Sequence, residues 1–291
     1  MSIRNELIGR EFPIGSAGHV VLMDCMGSDD DIVSAARTSY GKGTMKASKD
    51  STLLRYLMRH GHATPFEMAT VKFGVKLPIF VARQWHRHRA FSINEYSMRY
   101  SESIDDMATV APDEWRSQSA DNKQGSGVGE IRWPEGIDLE LIDDDTPGHF
   151  LTHQQELLQR QAKSVYQDRL SAGVAREQAR NDLPVSNYTQ MVWMGNLRNL
   201  LWSFLIQRMD SHSQAEIREF ADVIGNEIIA KIFPLTWQAF QDYGLNAIKL
   251  SALDIRAIPA YISDSTIGVA NLIPNERERI EFYAKMKRIG I

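Results

Sequence analysis

Residues 83–100, RQWHRHRAFSINEYSMRY, hold Arg83, Arg87, Arg89 and Arg99 with His86 and His88, and Glu95 is the segment's one acidic side chain. One or two cations at a helix C-terminus complement the helix dipole. Four arginines and two histidines against one carboxylate exceed that need. Arginine is the side chain suited to bidentate contact with phosphate, so the composition points to an anion site. The pairs His60/His62 and His86/His88 raise zinc as a second chemistry. The neighbouring guanidiniums disfavour a divalent cation, and no cysteine or aspartate stands at ligand spacing. Nucleophilic catalysis is the third. Cys25, the one cysteine, ends an apolar run and reads as a buried, inert thiol. Ser97 lies among Arg and Glu, but no acidic residue is placed to orient a histidine toward it.

The elements that must position these residues follow from periodicity. Residues 19–26 read as a strand, and 29–37 as a helix with an acidic first turn. Asp50 or Ser51 caps a helix over 52–60, with Gly61 at its C′ position. Residues 68–77 alternate cleanly: Ala69, Val71, Phe73, Val75 and Leu77 share one face, which predicts a half-buried, antiparallel strand. Pro78 opens a helix running to about Arg89. Further helices are expected over 150–171, 174–180, 196–208, 214–233 and 234–243, with a strand over 185–194. The 150–171 helix reads as amphipathic on Leu151, Leu157, Leu158, Val165 and Tyr166. Strands and helices do not alternate as βαβ units, so the fold class is α+β, a single large domain with an antiparallel sheet and packed helices. That domain spans 1–250. Residues 101–148 read as an acidic insertion of weak structure, and 251–291 as a polar C-terminal extension with a short final helix. The glycines of GSGVG, residues 125–129, lack a preceding strand and a following helix, which favours a flexible loop over a phosphate loop.

Composition bounds the partners. The 291 residues carry a net charge of −4 and are 43% hydrophobic, the balance of an ordinary globular chain. Residues 101–146 contain 13 acidic and 3 basic side chains, whereas 68–94 contain five basic and none acidic. A local cationic site within an acidic chain suits a small phosphorylated ligand and not a nucleic-acid polymer. No apolar run approaches the roughly 20 residues of a membrane span, and residues 1–12 lack a signal peptide's apolar core. A single cysteine forms no internal disulfide, which makes the cytoplasm the expected compartment.

The chemistry-bearing segment also resembles a known family. Arg87-His88-Arg89, seven residues, then Ser97 match the signature of the flavin-dependent thymidylate synthases. His60-Gly61-His62-Ala63-Thr64-Pro65-Phe66-Glu67 is similar to the family's upstream element, and Ala36-Arg37-Thr38-Ser39-Tyr40 to its first helix end. Ala179-Arg180, Leu183-Pro184, Tyr188-Thr189, Asn196-Leu197-Arg198 and Arg208 through His212 resemble its C-terminal half in order. The likeness spans roughly 20–243 without the acidic insertion.

The resemblance implies that dUMP is methylated to dTMP, with methylenetetrahydrofolate as carbon donor, FAD as hydride carrier and NADPH as its reductant. It implies a homotetramer whose active sites are shared between subunits. Arg208 would polarise the pyrimidine at N3 and O4. Gln84, Arg87, Glu95, Tyr96, Ser97, Met98, Arg99 and Arg180 would surround dUMP. Ser39, His62, Thr64, Arg87, His88, Arg89, Glu95, Asn196, Arg198, Ser203 and His212 would surround FAD, and no metal is implied. Polarisation by a guanidinium suits a chain with no cysteine placed to attack uracil C6. His212 follows Arg208 by four residues and would share its helix face if the helix continues.

Two departures from the family pattern stand out. Nine residues (NLLWSFLIQ) separate Arg198 from Arg208, where eight are expected. The extra residue turns later side chains by about 100° unless a π-bulge near Trp202-Ser203 absorbs it. Met98 stands where the family often has a small residue. The competing readings are a nucleotide- and flavin-binding regulator that has lost turnover through that extra residue, and a zinc-dependent hydrolase. At the residue level, the competing reading makes Arg208 with Asp210 and Arg180 with Asp182 local ion pairs and no more.

Overall fold

Apolar alternation through residues 69–77 builds the centre of the sheet. The computed structural model describes residues 3–38, 50–119, 125–127, 129–138 and 144–291. Its strands are β1 (Glu11–Ile14), β2 (Gly18–Met26), β3 (Thr70–Pro78), β4 (Ser92–Glu95), β5 (Ser117–Gln118), β6 (Ser126–Gly127) and β7 (Tyr188–Asn196). Five of them form one antiparallel sheet in the order β1-β2-β3-β7-β4. The fold is therefore α+β. Phe73 sits opposite Leu22 on one side and Trp193 on the other, and Trp193 is in turn opposite Ile93. The alternate positions Val71, Phe73, Val75 and Leu77 are buried with Met191 and Trp193. A period of two puts one face of each strand into the core, which is why the alternation was legible.

Helices cover that face. Leu200, Leu201, Phe204 and Leu205 pack with Ile224, Ile228 and Trp85 in the same core. Trp193 stacks on Phe91 at 4.2 Å and meets Phe204 at 4.8 Å. Truncating a fully buried aromatic of this kind costs about 3–5 kcal/mol. Asp29 ties the first long helix, Asp29–Arg37, to the helix Pro234–Phe240: its carboxylate accepts from the backbone N–H groups of Leu235 and Thr236, at 2.8 and 3.1 Å, and from the Thr236 hydroxyl at 2.6 Å.

Several elements differ from the sequence expectation. The helix opened by Pro78 spans only Ile79–Trp85, so Arg87, His88 and Arg89 lie on the turn that follows. Residues 92–95, for which no element was expected, pair with β7 as an edge strand. The long helix Pro147–Ser171 forms as expected, but Leu157 and Leu158 are 50% and 62% exposed, while Gln159 and Tyr166 face inward. Polar Gln159 is buried because it has work there. Gln155 and Gln159 donate to the Ala108 carbonyl, and Thr152 to that of Val110. These bonds bind residues 103–111 of the acidic insertion as an extended strap along the helix. Lys76 to Asp106 at 2.5 Å and Lys163 to Asp105 at 2.6 Å add ion pairs. The weak structure expected there thus holds only in part, because side-chain amides replace the sheet ladder.

The chain forms two units, Met1–Leu245 and Asn246–Ile291. The second was expected to be a polar tail with one short helix. It has three, Ala252–Ile262, Thr266–Leu272 and Glu276–Ile289, around Ala257, Val269, Ile273, Phe282 and Met286. A capping box of Ser251 and Asp254 starts the first, and Lys285 pairs with Asp254 at 2.7 Å. Among the described residues, no helix is long and apolar enough to cross a membrane.

Candidate active site

The π-bulge is present. Within the helical run from Leu197 to Arg208, residues Leu200–Leu205 form a π-helix, and the Ile206 N–H donates to the Leu201 carbonyl five residues back. The wider turn keeps Leu200, Leu201, Phe204 and Leu205 buried while accommodating the extra residue. Trp202 and Ser203 sit inside it. Arg208 emerges at the end, and the helix stops there with Met209 as C-cap. The π-turn absorbs the extra residue without turning the helix's apolar face out of the core.

Arg208 does not pair with Asp210. Its Nε–H donates to Nε2 of His88 at 2.8 Å, and its Nη2 approaches the Gln84 carbonyl at 3.5 Å. His88 is 3% exposed. Its Nδ1 lies 3.5 Å from the Ser203 hydroxyl and its ring meets Phe204 edge-on. Burial first, then the Arg208 charge, lower the His88 pKa to about 4, against a hydrogen bond with the Ser203 backbone. The ring is neutral near pH 7. His88 thus turns inward, and both of its ring nitrogens face partners within its own chain. Ser203 likewise faces His88.

The other predicted residues fall into groups. Arg83, Arg87 and Arg89 are exposed, and Arg180 is half-buried on the turn Arg180–Asp182. None of these four guanidiniums has a side-chain partner among the described residues. Asp182 pairs instead with Arg169 at 2.5 Å, so the local pair weighed for Arg180 is not formed. Unpaired guanidiniums fit the phosphate groups of a nucleotide and a dinucleotide cofactor. Arg99 lies 3.7 Å from Glu177, and its N–H donates to the Ser97 hydroxyl at 3.4 Å. Glu95 accepts from Thr189 at 2.8 Å and stands 3.5 Å from His86. The Tyr96 hydroxyl donates to the Glu102 carbonyl at 2.7 Å, and Met98 is half-buried beside it in sequence. Gln84 hydrogen-bonds Gln214 through the side-chain amides.

Around the expected cofactor side, His62 follows a Schellman stop. The Gly61 N–H donates to Met58 and the His62 N–H to Leu57, with Gly61 at φ +68°. This delivers His62 and Thr64 to a cleft of about 860 Å³ that Tyr56 and Thr38 also line. Asn196 caps the helix after β7 by accepting from the Asn199 N–H at 2.8 Å. Arg198 sits 3.8 Å from Glu67. The helix ends at Arg208, so His212 does not share a helix face with Arg208: it lies on a turn and pairs with Asp210 at 2.7 Å. Ser39 and Tyr40 lie outside the described residues. No group of three or more His, Cys, Asp or Glu side chains among the described residues is arranged to hold a metal.

Sequence reasoning missed three supports. Asn199 donates to the Ala90 carbonyl at 3.2 Å and steadies the arginine turn. Thr189 holds Glu95, and Gln214 holds Gln84. Thr189 lay within a recognised motif. Nothing local marked Asn199 or Gln214.

The α+β fold brings the Arg208 guanidinium to a buried imidazole, with unpaired arginines on the adjoining turn, an arrangement that suits a protein binding phosphorylated ligands. Residues 21–235 match the family described as Thymidylate synthase complementing protein. The chain belongs to that family. It is 42% identical to the flavin-dependent thymidylate synthase of Wolbachia pipientis wMel over 261 residues, covering 90% of this chain and 87% of the relative. It is 40% identical to that of Gluconobacter oxydans (strain 621H) over 284 residues, covering 96% and 88%. Among solved structures it is similar to the UMP/dUMP methylase PolB from Streptomyces cacaoi bound with 5-Br UMP. There the TM-score is 0.62 and the identity 31%, covering 80% of this chain and 98% of that one.

Proposed function

We propose that this protein is a flavin-dependent thymidylate synthase, converting dUMP to dTMP with methylenetetrahydrofolate as carbon donor. When bound, FAD reduced by NADPH supplies the hydride. The reading rests on one observation above others: Arg208 is held by a neutral acceptor, so its charge is not spent within the protein. Uracil C5 is a poor nucleophile. A guanidinium beside N3 and O4 stabilises negative charge on that edge and enriches C5. Cysteine attack at C6 has no support here, because Cys25 is buried and burial pushes its thiol pKa up.

Around that step the chain's residues bind and orient. Arg180, Arg99 and Gln84 hold the nucleotide, with Glu95 fixed by Thr189 and with Tyr96, Ser97 and Met98 beside it. Arg87, Arg89, Arg198, Thr64 and His62 hold the flavin dinucleotide, which the unpaired guanidiniums and the cleft at His62 support. The working form is a homotetramer with sites shared between subunits, as several candidate ligands are exposed in one chain.

Product analysis tests the reading. Purified protein with FAD, NADPH, dUMP and methylenetetrahydrofolate is expected to form dTMP, resolved by chromatography, and to form none without NADPH. Absence of dTMP from protein that retains flavin overturns it. Light scattering tests the tetramer, with a single-chain mass as the contrary result.

A further inference from the structure

We propose that His88, steadied by Ser203 on the π-turn, is a positioning residue that aims Arg208 while leaving its positive charge unquenched. The inference rests on the reading of Arg208 as the pyrimidine-polarising group.

The atoms dictate the arrangement. A guanidinium only donates, so an imidazole nitrogen 2.8 Å from Arg208 Nε must present a lone pair. Nε2 therefore carries no proton, and the ring's one hydrogen sits on Nδ1. That nitrogen faces Ser203, whose hydroxyl is 3.5 Å away. The ring meets Phe204 edge-on at 5.0 Å and is buried, so little water reaches it. Ser203 stands within the π-helix Leu200–Leu205. The extra residue between Arg198 and Arg208 thus has a structural consequence: it sets both ends of the relay on one helical run.

The choice of histidine is physically specific. An aspartate or glutamate at this position would hold the guanidinium equally well and would neutralise it. A neutral acceptor holds the Nε edge without compensating the charge, and the Gln84 carbonyl, 3.5 Å from Nη2, does the same. The remaining Nη donors keep full positive character for a ligand edge. The low pKa of His88 keeps the acceptor available throughout the neutral range.

The test has two arms. Solid-state spectra of the whole protein with 15N-labelled histidine read the tautomer, with His88→Gln assigning the signal by its loss. The expected result is a neutral, Nδ1-protonated His88 at pH 7. A ring protonated on Nε2, or on both nitrogens, overturns the proposal. In the second arm, kcat, KM for dUMP and bound flavin are measured for three variants. His88→Gln keeps a neutral acceptor and is expected to retain a tenth or more of kcat. His88→Leu loses the acceptor and His88→Glu quenches the charge, and each is expected to lose about 100-fold in kcat with flavin still bound. Equal kcat for His88→Gln and His88→Glu sinks the idea. Wild-type protein that makes no dTMP overturns the proposed activity instead, and the tautomer arm still decides the relay.

Discussion

Arg208 donates to His88 across 120 residues of chain, and that bond joins the two segments that carry the densest chemistry. One comes from the turn after the helix Ile79–Trp85, the other from the end of a helix widened by a π-turn. Neither residue has its other local option: Asp210 is engaged by His212, and His88 is out of solvent.

Arg208→Ala is expected to lower dTMP turnover by about 100- to 1,000-fold, the range for removing one positioned charge-stabilising donor. The loss of a half-buried side chain at a helix end leaves the core untouched. The urea midpoint and the flavin absorbance of the purified variant are therefore expected to stay near wild type, with chromatography reading the product.

His88 links stability to pH. Its folded pKa, about 4, lies below the ordinary 6.5. The unfolded chain therefore takes a proton between pH 6.5 and 4 that the folded chain refuses, and stability falls as pH falls through that window. The gap corresponds to about 3 kcal/mol. Urea unfolding of wild type and His88→Gln at pH 7 and pH 4.5 checks it: the wild type is expected to lose more over the interval. Equal losses would exclude His88 as the source.

Asp29→Ala removes three hydrogen bonds to Leu235 and Thr236 and strips the cap from the helix Pro234–Phe240. The expected destabilisation is about 3 kcal/mol, since bonds to a carboxylate are strong and the buried N–H groups are left unpaired. Chemical denaturation measures it, and Asp29→Asn, which keeps one acceptor, is expected to lose less.

Gly148 packs against the strap. A Cβ there would collide with the Pro112 carbonyl oxygen, a backbone atom that cannot swing aside. Gly148→Ala is expected to detach the strap around Pro112 and to speed proteolysis within 103–116, read by limited digestion and mass spectrometry. Unchanged cleavage would mean that the bonds of residues 103–111 to the long helix and to residues 186–188 hold the strap without the Gly148 contact.

Arg87→Ala and Arg89→Ala each remove an exposed guanidinium with no side-chain partner among the described residues. Flavin affinity is expected to fall about tenfold for each, the value of one charge-assisted bond. The salt dependence of binding is expected to shrink in parallel. Equilibrium titration of apoprotein with FAD at two ionic strengths makes the comparison.

Local periodicity and composition determined much of this protein. The alternation over 69–77 defines a strand buried on one face, because side-chain direction in a strand repeats every two residues. Gly61 marked a helix stop, since glycine readily takes the positive φ found there. Nine residues between Arg198 and Arg208, against the eight of the family that the segment resembles, implied a widened turn. The arginine cluster pointed to an anion site by charge alone. Tertiary structure decided the rest. Leu157 and Leu158 obey an amphipathic pattern yet face outward, while Gln159 is drawn inward by backbone groups that need donors. The edge strand Ser92–Glu95 has no strong pattern and exists because β7 offers it a ladder. His88 and Arg89 are adjacent and chemically alike on paper, but one is buried and neutral and the other exposed and charged. Which way His88 turns depends on partners more than a hundred residues away, and those pairings leave no local periodic signal.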